Sequence, residues 1–396
     1  MLDKIKNLDK QNFMNTFGDR LPVAFTEGKG LKLKATDNTE YYDFLGGIAV
    51  NALGHSHPYF VEKLQEQVAK IIHTSNLYYI EPQSLLAERL VSKTCMDKVF
   101  FANSGAEANE GAIKLAKIYF YKKGIEKYQI ISLDHSFHGR TLATVAATGQ
   151  EKYQKPYKPL TPGFIQVPPN DIEAIKSAVT DKTAAILLEP IQGESGVHPM
   201  DKEYIKEIRK ICDENEILLI FDEVQTGMGR CGTLFAYELY GVEPDILTSA
   251  KALGGGVPIG AILAKDFVAS AFTPGDHGST FGGNYLATAA GNAVLDIYES
   301  ENLVENSKKM GLIFKEKLAK LKNEFTCIKE IRGEGLLIGI ELDESIAKDV
   351  FKGLFDNKIL TSLCYSTIRL APPLIINESD IDMFIDTFKK VLKERN

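Results

Sequence analysis

The sequence predicts an α/β protein, with a large unit built on a mainly parallel sheet flanked by helices and a smaller α+β unit after it. Two observations carry this reading. Apolar segments without inside-outside alternation recur between residues 99 and 264, as strands buried on both faces of a parallel sheet require, and helical patterns separate them. After about residue 285 that alternation stops, and a long helical stretch leads into shorter strand-like and helical pieces.

Taken in order, the first fifty-odd residues offer only short strand-like pieces, LPVAFTEG, LKLKAT and EYYDFL. They hold too few apolar residues to fold alone and are expected to pack on the rest. The strand segments of the large unit are VFFAN near 99, YQIISL near 128, AAILLEPI near 184, ILLIFDEV near 217, DILTSA near 245 and GAILA near 260. Helical patterns such as AEANEGAIKLAKIYFYKK and DKEYIKEIRKICDENE run between them. The stretch YLATAAGNAVLDIYESENLVENSKKMGLIFKEKLAKL reads as one long helical region, followed by LLIGIEL, a helix, TIRLAPPL and a last helix ending in KKVLKERN. The expected division is an N-terminal segment, residues 1–54, packing with the small domain, then a large domain, 55–290, and the small α+β domain, 291–396. No repeat or low-complexity tract interrupts it.

With 396 residues, 44% of them hydrophobic and 25% charged, the chain has the composition of a folded soluble enzyme. A net charge of -7 and a pI near 5.7 argue against nucleic acid as a partner. The N-terminus mixes charges and lacks an apolar h-region, and no apolar run is long enough to span a bilayer, so a cytoplasmic location without membrane association is expected. Five scattered cysteines, none in a CxxC pair, read as reduced thiols.

The chemistry gathers around TSAKALGGGVPIGA, residues 248–261. An apolar segment ends at Lys251 and three consecutive glycines follow, so the lysine is either a surface residue at a strand end or a buried amine kept for chemistry. Asp222 ends the apolar strand ILLIFDEV, at the carboxyl edge where open α/β sheets bind ligands. By itself an aspartate there is as often a cap or turn residue. A desolvated lysine can attack a carbonyl and hold it as a Schiff base, and a carboxylate facing a pyridine nitrogen makes that ring an electron sink. The pair therefore suggests pyridoxal phosphate. A plain salt bridge between them leaves the flanking glycines unexplained.

Other segments fit around that pair. In FFANSGAEANEGAIKLAK a strand breaks at Ser104, Gly105 and Ala106 and leads into a helix whose N-terminus can seat a phosphate. The same residues also fit an ordinary N-cap with Ser104 and Glu107 as a capping box. DHSFHGRT, residues 134–141, offers Phe137 to stack on a planar ring and Arg140 to bind a carboxylate, although a single Phe or Arg is more often core or surface. HGSTFGGN, residues 277–284, supplies the hydroxyls of Ser279 and Thr280 or is a surface turn. His55 and His57 lack further ligands nearby, so no metal is expected. The glycines at 254–256 match neither the P-loop nor the dinucleotide fingerprint.

Together with DFLGGIAVNALGHSHP, HTSNLYYIEPQ, LLEPIQGESGV, LLIFDEVQTGMGRCGTLFAYE and IRGEGLLIGIEL, these segments resemble the class III pyridoxal-phosphate-dependent aminotransferases of fold type I across nearly the whole chain. The resemblance is densest to members acting on N-acetylornithine in arginine biosynthesis. It implies a seven-stranded sheet in the large domain, and a homodimer whose active site lies at the subunit interface. Lys251 is implied to carry the cofactor and shuttle the proton, Asp222 to pair with the ring nitrogen, and Val224 and Gln225 to lie near the ring. Ser104, Gly105 and Ala106 are implied at the phosphate, Phe137 over the ring with His138 beside it, and Thr280 at the phosphate of the other subunit. Arg140 and Ser279 resemble substrate-binding residues. Arg369, in TIRLAPPL, resembles the arginine that grips the 2-oxoglutarate carboxylate, and Glu194 the gate that pairs with it. The implied reaction is ping-pong, through pyridoxamine phosphate: N-acetylornithine and 2-oxoglutarate give N-acetylglutamate 5-semialdehyde and glutamate. Ornithine, succinylornithine or 4-aminobutyrate are the alternative donors. A racemase or decarboxylase of the same fold is a further alternative, and a noncatalytic scaffold ranks last because Lys251 and Asp222 are both present.

Overall fold

The computed structural model describes residues 1–395. At its centre is a seven-stranded sheet in the order Lys98–Ala102, Gly260–Ala264, Ile246–Ser249, Leu218–Asp222, Thr183–Leu188, Gln129–Leu133, Phe164–Val167. Gly260–Ala264 runs antiparallel to both neighbours, and the remaining pairs are parallel. Six of these strands coincide with the apolar segments of the sequence. Phe164–Val167 does not stand out there, because it is a short edge strand whose first three positions are only half-buried.

The absence of alternation has a direct cause: the sheet is covered on both sides. Ile186, Leu219, Phe221 and Leu247 enter one core with Ile205 and Ile208 of helix Lys202–Glu214. Their strand neighbours Leu187, Leu218, Ile220 and Ile246 enter a second core with Ala112, Leu115 and Ala116 of helix Gly105–Lys122. Each such leucine or isoleucine contributes about 1.5–3 kcal/mol by leaving water, which is why neither face tolerates a polar alternation.

The C-terminal part carries an antiparallel sheet in the order Ile328–Glu334, Leu337–Leu342, Thr367–Leu370, Ser362–Cys364. Helices Leu303–Glu324, Glu344–Asp356 and Glu378–Arg395 belong with it. The N-terminal strands Phe25–Lys29, Lys32–Ala35 and Glu40–Asp43 form a separate sheet, extended by the parallel strand Ile359–Leu360. Phe44 locks this sheet to the C-terminal helices, with its ring 4.9 Å from that of Phe384. The long helical stretch after 285 is two helices, Tyr285–Ser300 and Leu303–Glu324. The break falls at Asn302, which sits at φ 52, a left-handed conformation that asparagine accepts more readily than most residues. No described helix is long and apolar enough to cross a membrane.

The parallel strands deliver their loops to one edge. Ser104 follows Lys98–Ala102, Phe137 follows Gln129–Leu133, Glu189 follows Thr183–Leu188, Asp222 ends Leu218–Asp222 and Lys251 follows Ile246–Ser249. This carboxyl edge is where the fold class opens a ligand crevice.

Candidate active site

A cavity of about 420 Å³ occupies that edge, and Ser104, Gly105, Ala106, Phe137, His138, Arg140, Asp222, Val224, Gln225 and Lys251 all line it. Glu194 and Arg369 adjoin it through Gln225, whose Nε2 donates to Glu194 at 3.2 Å and whose Oε1 accepts from Arg369 at 3.3 Å. Ser279 Oγ accepts from Asn103 Nδ2 at 3.2 Å, at the rim. Thr280 is not brought in. It is exposed on the surface of the chain. A larger hollow of about 720 Å³ lies between Ser195, His198, Arg332 and Thr367, and it contains neither Lys251 nor Asp222.

Lys251 opens a short 3-10 turn, Lys251–Gly254, with its own backbone at φ 47. Its amine makes no ion pair among the described residues, which disposes of a salt bridge to Asp222. Burial lowers its pKa below the ordinary 10.5, and the Arg369 charge adds to this, against the opposing pull of Glu194, Asp222 and Glu189. The amine is thus shifted toward the neutral, nucleophilic form. The adjacent glycines are not all there for a ligand. A Cβ on Gly254 would meet Ile259 at 2.8 Å and one on Gly255 would meet Phe60 and Val294 at 3.0 Å, so both serve packing. Gly256, at φ 114, alone of the three lines the cavity.

Asp222 is 3% exposed and accepts three hydrogen bonds, which leaves Oδ1 room for one further donor. Its Oδ2 accepts from Asn109 Nδ2 at 2.7 Å and His138 Nδ1 at 2.8 Å, and its Oδ1 accepts from the Val224 N–H at 3.0 Å. Asn109 is itself fixed, donating to the His138 carbonyl at 2.8 Å and accepting from Thr248 Oγ1 at 2.8 Å. His138 and Asn109 together therefore brace Asp222.

Asn109 belongs to helix Gly105–Lys122, whose N-terminus lines the cavity. Ser104 is its N-cap, accepting from the Glu107 N–H at 3.2 Å, while Glu107 reaches back to the Asn103 N–H at 2.8 Å. The cap leaves the first N–H groups of the helix available. The hydroxyl is engaged in the cap, whereas the N–H groups of Gly105 and Ala106, in the first helical turn, have no preceding helical carbonyl to take them. The strand bearing Gly260 presses so close that a Cβ there would lie 2.2 Å from the Ser104 carbonyl oxygen.

Phe137 is half-buried on the cavity wall, packed edge-on against Tyr153 at 5.8 Å. Its N–H donates to Glu189 Oε2 at 2.9 Å. Burial, reinforced by the nearby Asp222 charge, pushes the Glu189 carboxyl well above its usual range. The Arg140 guanidinium is exposed, lies 3.9 Å from the Tyr153 ring centroid and makes no ion pair among the described residues. At the far end Arg369, 3% exposed, holds Glu194 at 2.9 Å and donates to the Gly193 carbonyl at 3.0 Å. Burial pulls the Glu194 carboxyl up, but Arg369 and Lys251 outweigh it and hold it below the usual range.

Asn109, Glu189 and Asn103 also belong to this cavity and escaped the sequence reading. Asn109 was lost among small residues in a helical pattern. Glu189 had one available signal, an acid at the end of a fully buried strand, the same feature that singled out Asp222.

Pyridoxal phosphate requires an amine for its aldehyde, a carboxylate for its ring nitrogen and donors for its phosphate. The unpaired Lys251, the braced Asp222 and the free helix N-terminus at Gly105 and Ala106 fit all three. Residues 13–392 match the sequence model of the aminotransferase class-III family. The chain is 50% identical to the acetylornithine aminotransferases of Methanocaldococcus jannaschii, over 392 residues, and of Caldanaerobacter subterraneus subsp. tengcongensis, over 388, covering 98% of each chain in both cases. Among solved structures, the ornithine aminotransferase of Toxoplasma gondii ME49 superposes with a TM-score of 0.95 at 32% identity, covering 100% of this chain and 95% of that one. The acetylornithine aminotransferase of Elizabethkingia anophelis gives 0.88 at 36%, covering 99% of each. With a buried lysine, an aspartate and a helix N-terminus gathered in one cavity, the chain belongs to the class III aminotransferases and is a pyridoxal-phosphate-dependent enzyme.

Proposed function

We propose that the enzyme moves the terminal amino group of N-acetylornithine to 2-oxoglutarate, giving N-acetylglutamate 5-semialdehyde and glutamate, as a step of arginine biosynthesis. The observation that carries this reading is the Glu194–Arg369 pair at 2.9 Å, set beside Lys251. One pocket must accept a donor with no carboxylate next to its reacting amine and then a keto acid that has one. An arginine left bare in the first case is costly, and a carboxylate that covers it and can swing away solves both. The 50% identity to two acetylornithine aminotransferases supports the acylated donor.

In this reading Lys251 holds the cofactor, Asp222 faces its ring nitrogen, Val224, Gln225 and His138 support the ring's surroundings, and Phe137 covers it. Gly105 and Ala106 bind the phosphate through their N–H groups, with Ser104 shaping that turn. When bound, the cofactor supplies the electron sink that stabilises the charge left on a substrate carbon. Lys251 Nζ, once the substrate amine has displaced it, would carry the proton from the substrate carbon bearing that amine to the cofactor's aldehyde carbon, and would carry one the opposite way in the other half of the cycle. Arg140, free of any ion pair among the described residues, takes the donor's carboxylate, and Ser279, held at the rim by Asn103, is the second substrate-binding residue. Arg369 takes the α-carboxylate of 2-oxoglutarate once Glu194 has moved.

The reading includes a homodimer. Leu77, Tyr78 and Tyr79 are 87%, 68% and 100% exposed and Phe281 is 61% exposed. Asn76 Nδ2 ties the two segments together by donating to the carbonyls of Ser279 and Gly282 at 3.1 and 3.0 Å. Such a patch calls for a partner, and a second copy covering it would bring Thr280 to the neighbouring phosphate. We read the chain as an N-terminal segment, 1–54, a large domain, 55–290, and a small domain, 291–396. The shared sheet of Glu40–Asp43 with Ile359–Leu360 supports grouping the first with the last. Five free cysteines suit the reducing cytoplasm.

Ornithine is the second reading, favoured by the TM-score of 0.95 to the Toxoplasma gondii enzyme. Initial rates with N-acetylornithine, succinylornithine, ornithine and 4-aminobutyrate, each with 2-oxoglutarate, test the assignment. N-acetylornithine should give the highest kcat/KM. A higher value for ornithine reassigns the donor, and no consumption of 2-oxoglutarate with any of them points to a racemase or decarboxylase.

A further inference from the structure

Glu194 lies in a loop whose two ends are gripped by two arginines on one sheet face. Ile191–Gln192 and His198–Pro199 pair as a short hairpin, and Gly193 to Val197 form its loop. Arg332, Gly339 and Arg369 are direct cross-strand neighbours on three adjacent strands. Directly opposed residues point to the same face, and Gly339 leaves a trough between the two guanidinium groups. The loop fills that trough: a Cβ on Gly339 would lie 2.8 Å from the Gly196 carbonyl oxygen. At one end Arg369 donates to the Gly193 carbonyl. At the other Arg332 Nε donates to the Gly196 carbonyl at 2.9 Å, and Nη2 to Thr367 Oγ1 at 2.9 Å.

We propose that Arg332 is a positioning residue for the gate, clamping Gly196 so that Glu194 stays on Arg369 until a dicarboxylate displaces it. This inference rests on the gate reading above. Three features support it. Arg332 is itself fixed, with an 8% exposed side chain whose Nη1 donates to Glu330 at 2.8 Å and also to Glu341. The loop carries Val197 at φ 61, a left-handed conformation strained for a β-branched residue, and Ser195 Oγ is buried without a partner. Strain of this kind persists only where the surroundings enforce it, and Arg332 supplies the enforcing contact. The large hollow beyond Ser195 and Arg332 gives the loop room to move once released. Arg369, by contrast, sits on a strand paired on both sides and stays in place.

Weakening the clamp should therefore free Arg369, easing dicarboxylate binding and harming the donor that needs Arg369 covered. In the cofactor-loaded Arg332→Lys enzyme, kcat/KM of the half-reaction with N-acetylornithine should fall about tenfold, the scale of one charge-assisted hydrogen bond. The kcat/KM of the half-reaction with glutamate should instead rise several-fold, and the inert dicarboxylate glutarate should bind several-fold more tightly by calorimetry. Gly196→Ala is the second variant, since its Cβ would meet Thr367 Oγ1 at 3.1 Å and Arg332 Nη2 at 3.2 Å and push the loop off with Arg332 intact. Equal losses in both half-reactions with unchanged glutarate affinity, in whichever variants fold, overturn the clamp. Glu194→Gln separates the two claims. If it shows the split and the clamp variants do not, the clamp alone fails; if it shows no split, the gate reading fails and takes the clamp with it.

Discussion

Replacing Asn109 with alanine removes a side chain that is 1% exposed and makes three hydrogen bonds, to Asp222 Oδ2, the His138 carbonyl and Thr248 Oγ1. The bond to the aspartate, at 2.7 Å, is charge-assisted and worth about 1.5–3 kcal/mol. The orphaned His138 carbonyl and Thr248 hydroxyl add about 1 kcal/mol each, less whatever a water entering the new space recovers. The expected loss is about 3 kcal/mol, read as a lower urea midpoint for the apoprotein at unchanged slope. Asp222 keeps its bonds from His138 and the Val224 N–H, so cofactor binding should weaken without being abolished. Thr248→Val, which leaves the Asp222 contact intact, should cost about a third as much. A loss below about 1 kcal/mol for Asn109→Ala, or equal losses for the two variants, would refute the claim that Asn109 supports the carboxylate.

Three further outcomes are expected. Because the folded Lys251 pKa lies below the ordinary 10.5, the unfolded lysine binds a proton the folded one lacks in the window between the two values. Apoprotein stability should therefore rise with pH through that window, by at most about 1.4 kcal/mol per unit, and Lys251→Met should remove that contribution; an unchanged slope contradicts it. Glu189, pushed toward its neutral form, should be replaceable by glutamine with activity kept within a few-fold, whereas leucine, which strands the Phe137 N–H, should cost about 1–3 kcal/mol of stability. Equal damage from both would mean that the negative charge is needed. Gly260→Ala, with its Cβ 2.2 Å from the Ser104 oxygen, should weaken pyridoxal phosphate binding and lower stability by about 1–3 kcal/mol; titration of the apoprotein with the cofactor checks it.

Much of this was legible in the sequence, for physical reasons. Strands buried on both faces announce themselves as uninterrupted apolar runs, and a charge at the end of such a run, as at Asp222 or Lys251, has few structural excuses. What stayed hidden had either no pattern or a misleading one. The edge strand Phe164–Val167 is half-solvated, and the antiparallel direction of Gly260–Ala264 leaves no mark on its composition. Asn109 looks like any polar helix residue until the fold puts Asp222 against it. The three glycines after Lys251 suggested room for a ligand, but Gly254 and Gly255 make room for Ile259, Phe60 and Val294. Glu194 and Arg369 are far apart in sequence, and only resemblance to known aminotransferases linked them before the fold brought them to 2.9 Å.

The central claim is that Lys251 holds the cofactor in a pocket built to take an amino group from N-acetylornithine. The most direct measurement is the visible absorbance of the purified protein, followed through addition of N-acetylornithine and then 2-oxoglutarate, beside Lys251→Ala. The wild-type band of the bound cofactor should disappear with the donor and return with the acceptor, while the variant completes neither change. A protein that takes up no pyridoxal phosphate, or a Lys251→Ala variant that cycles like the wild type, would contradict the account.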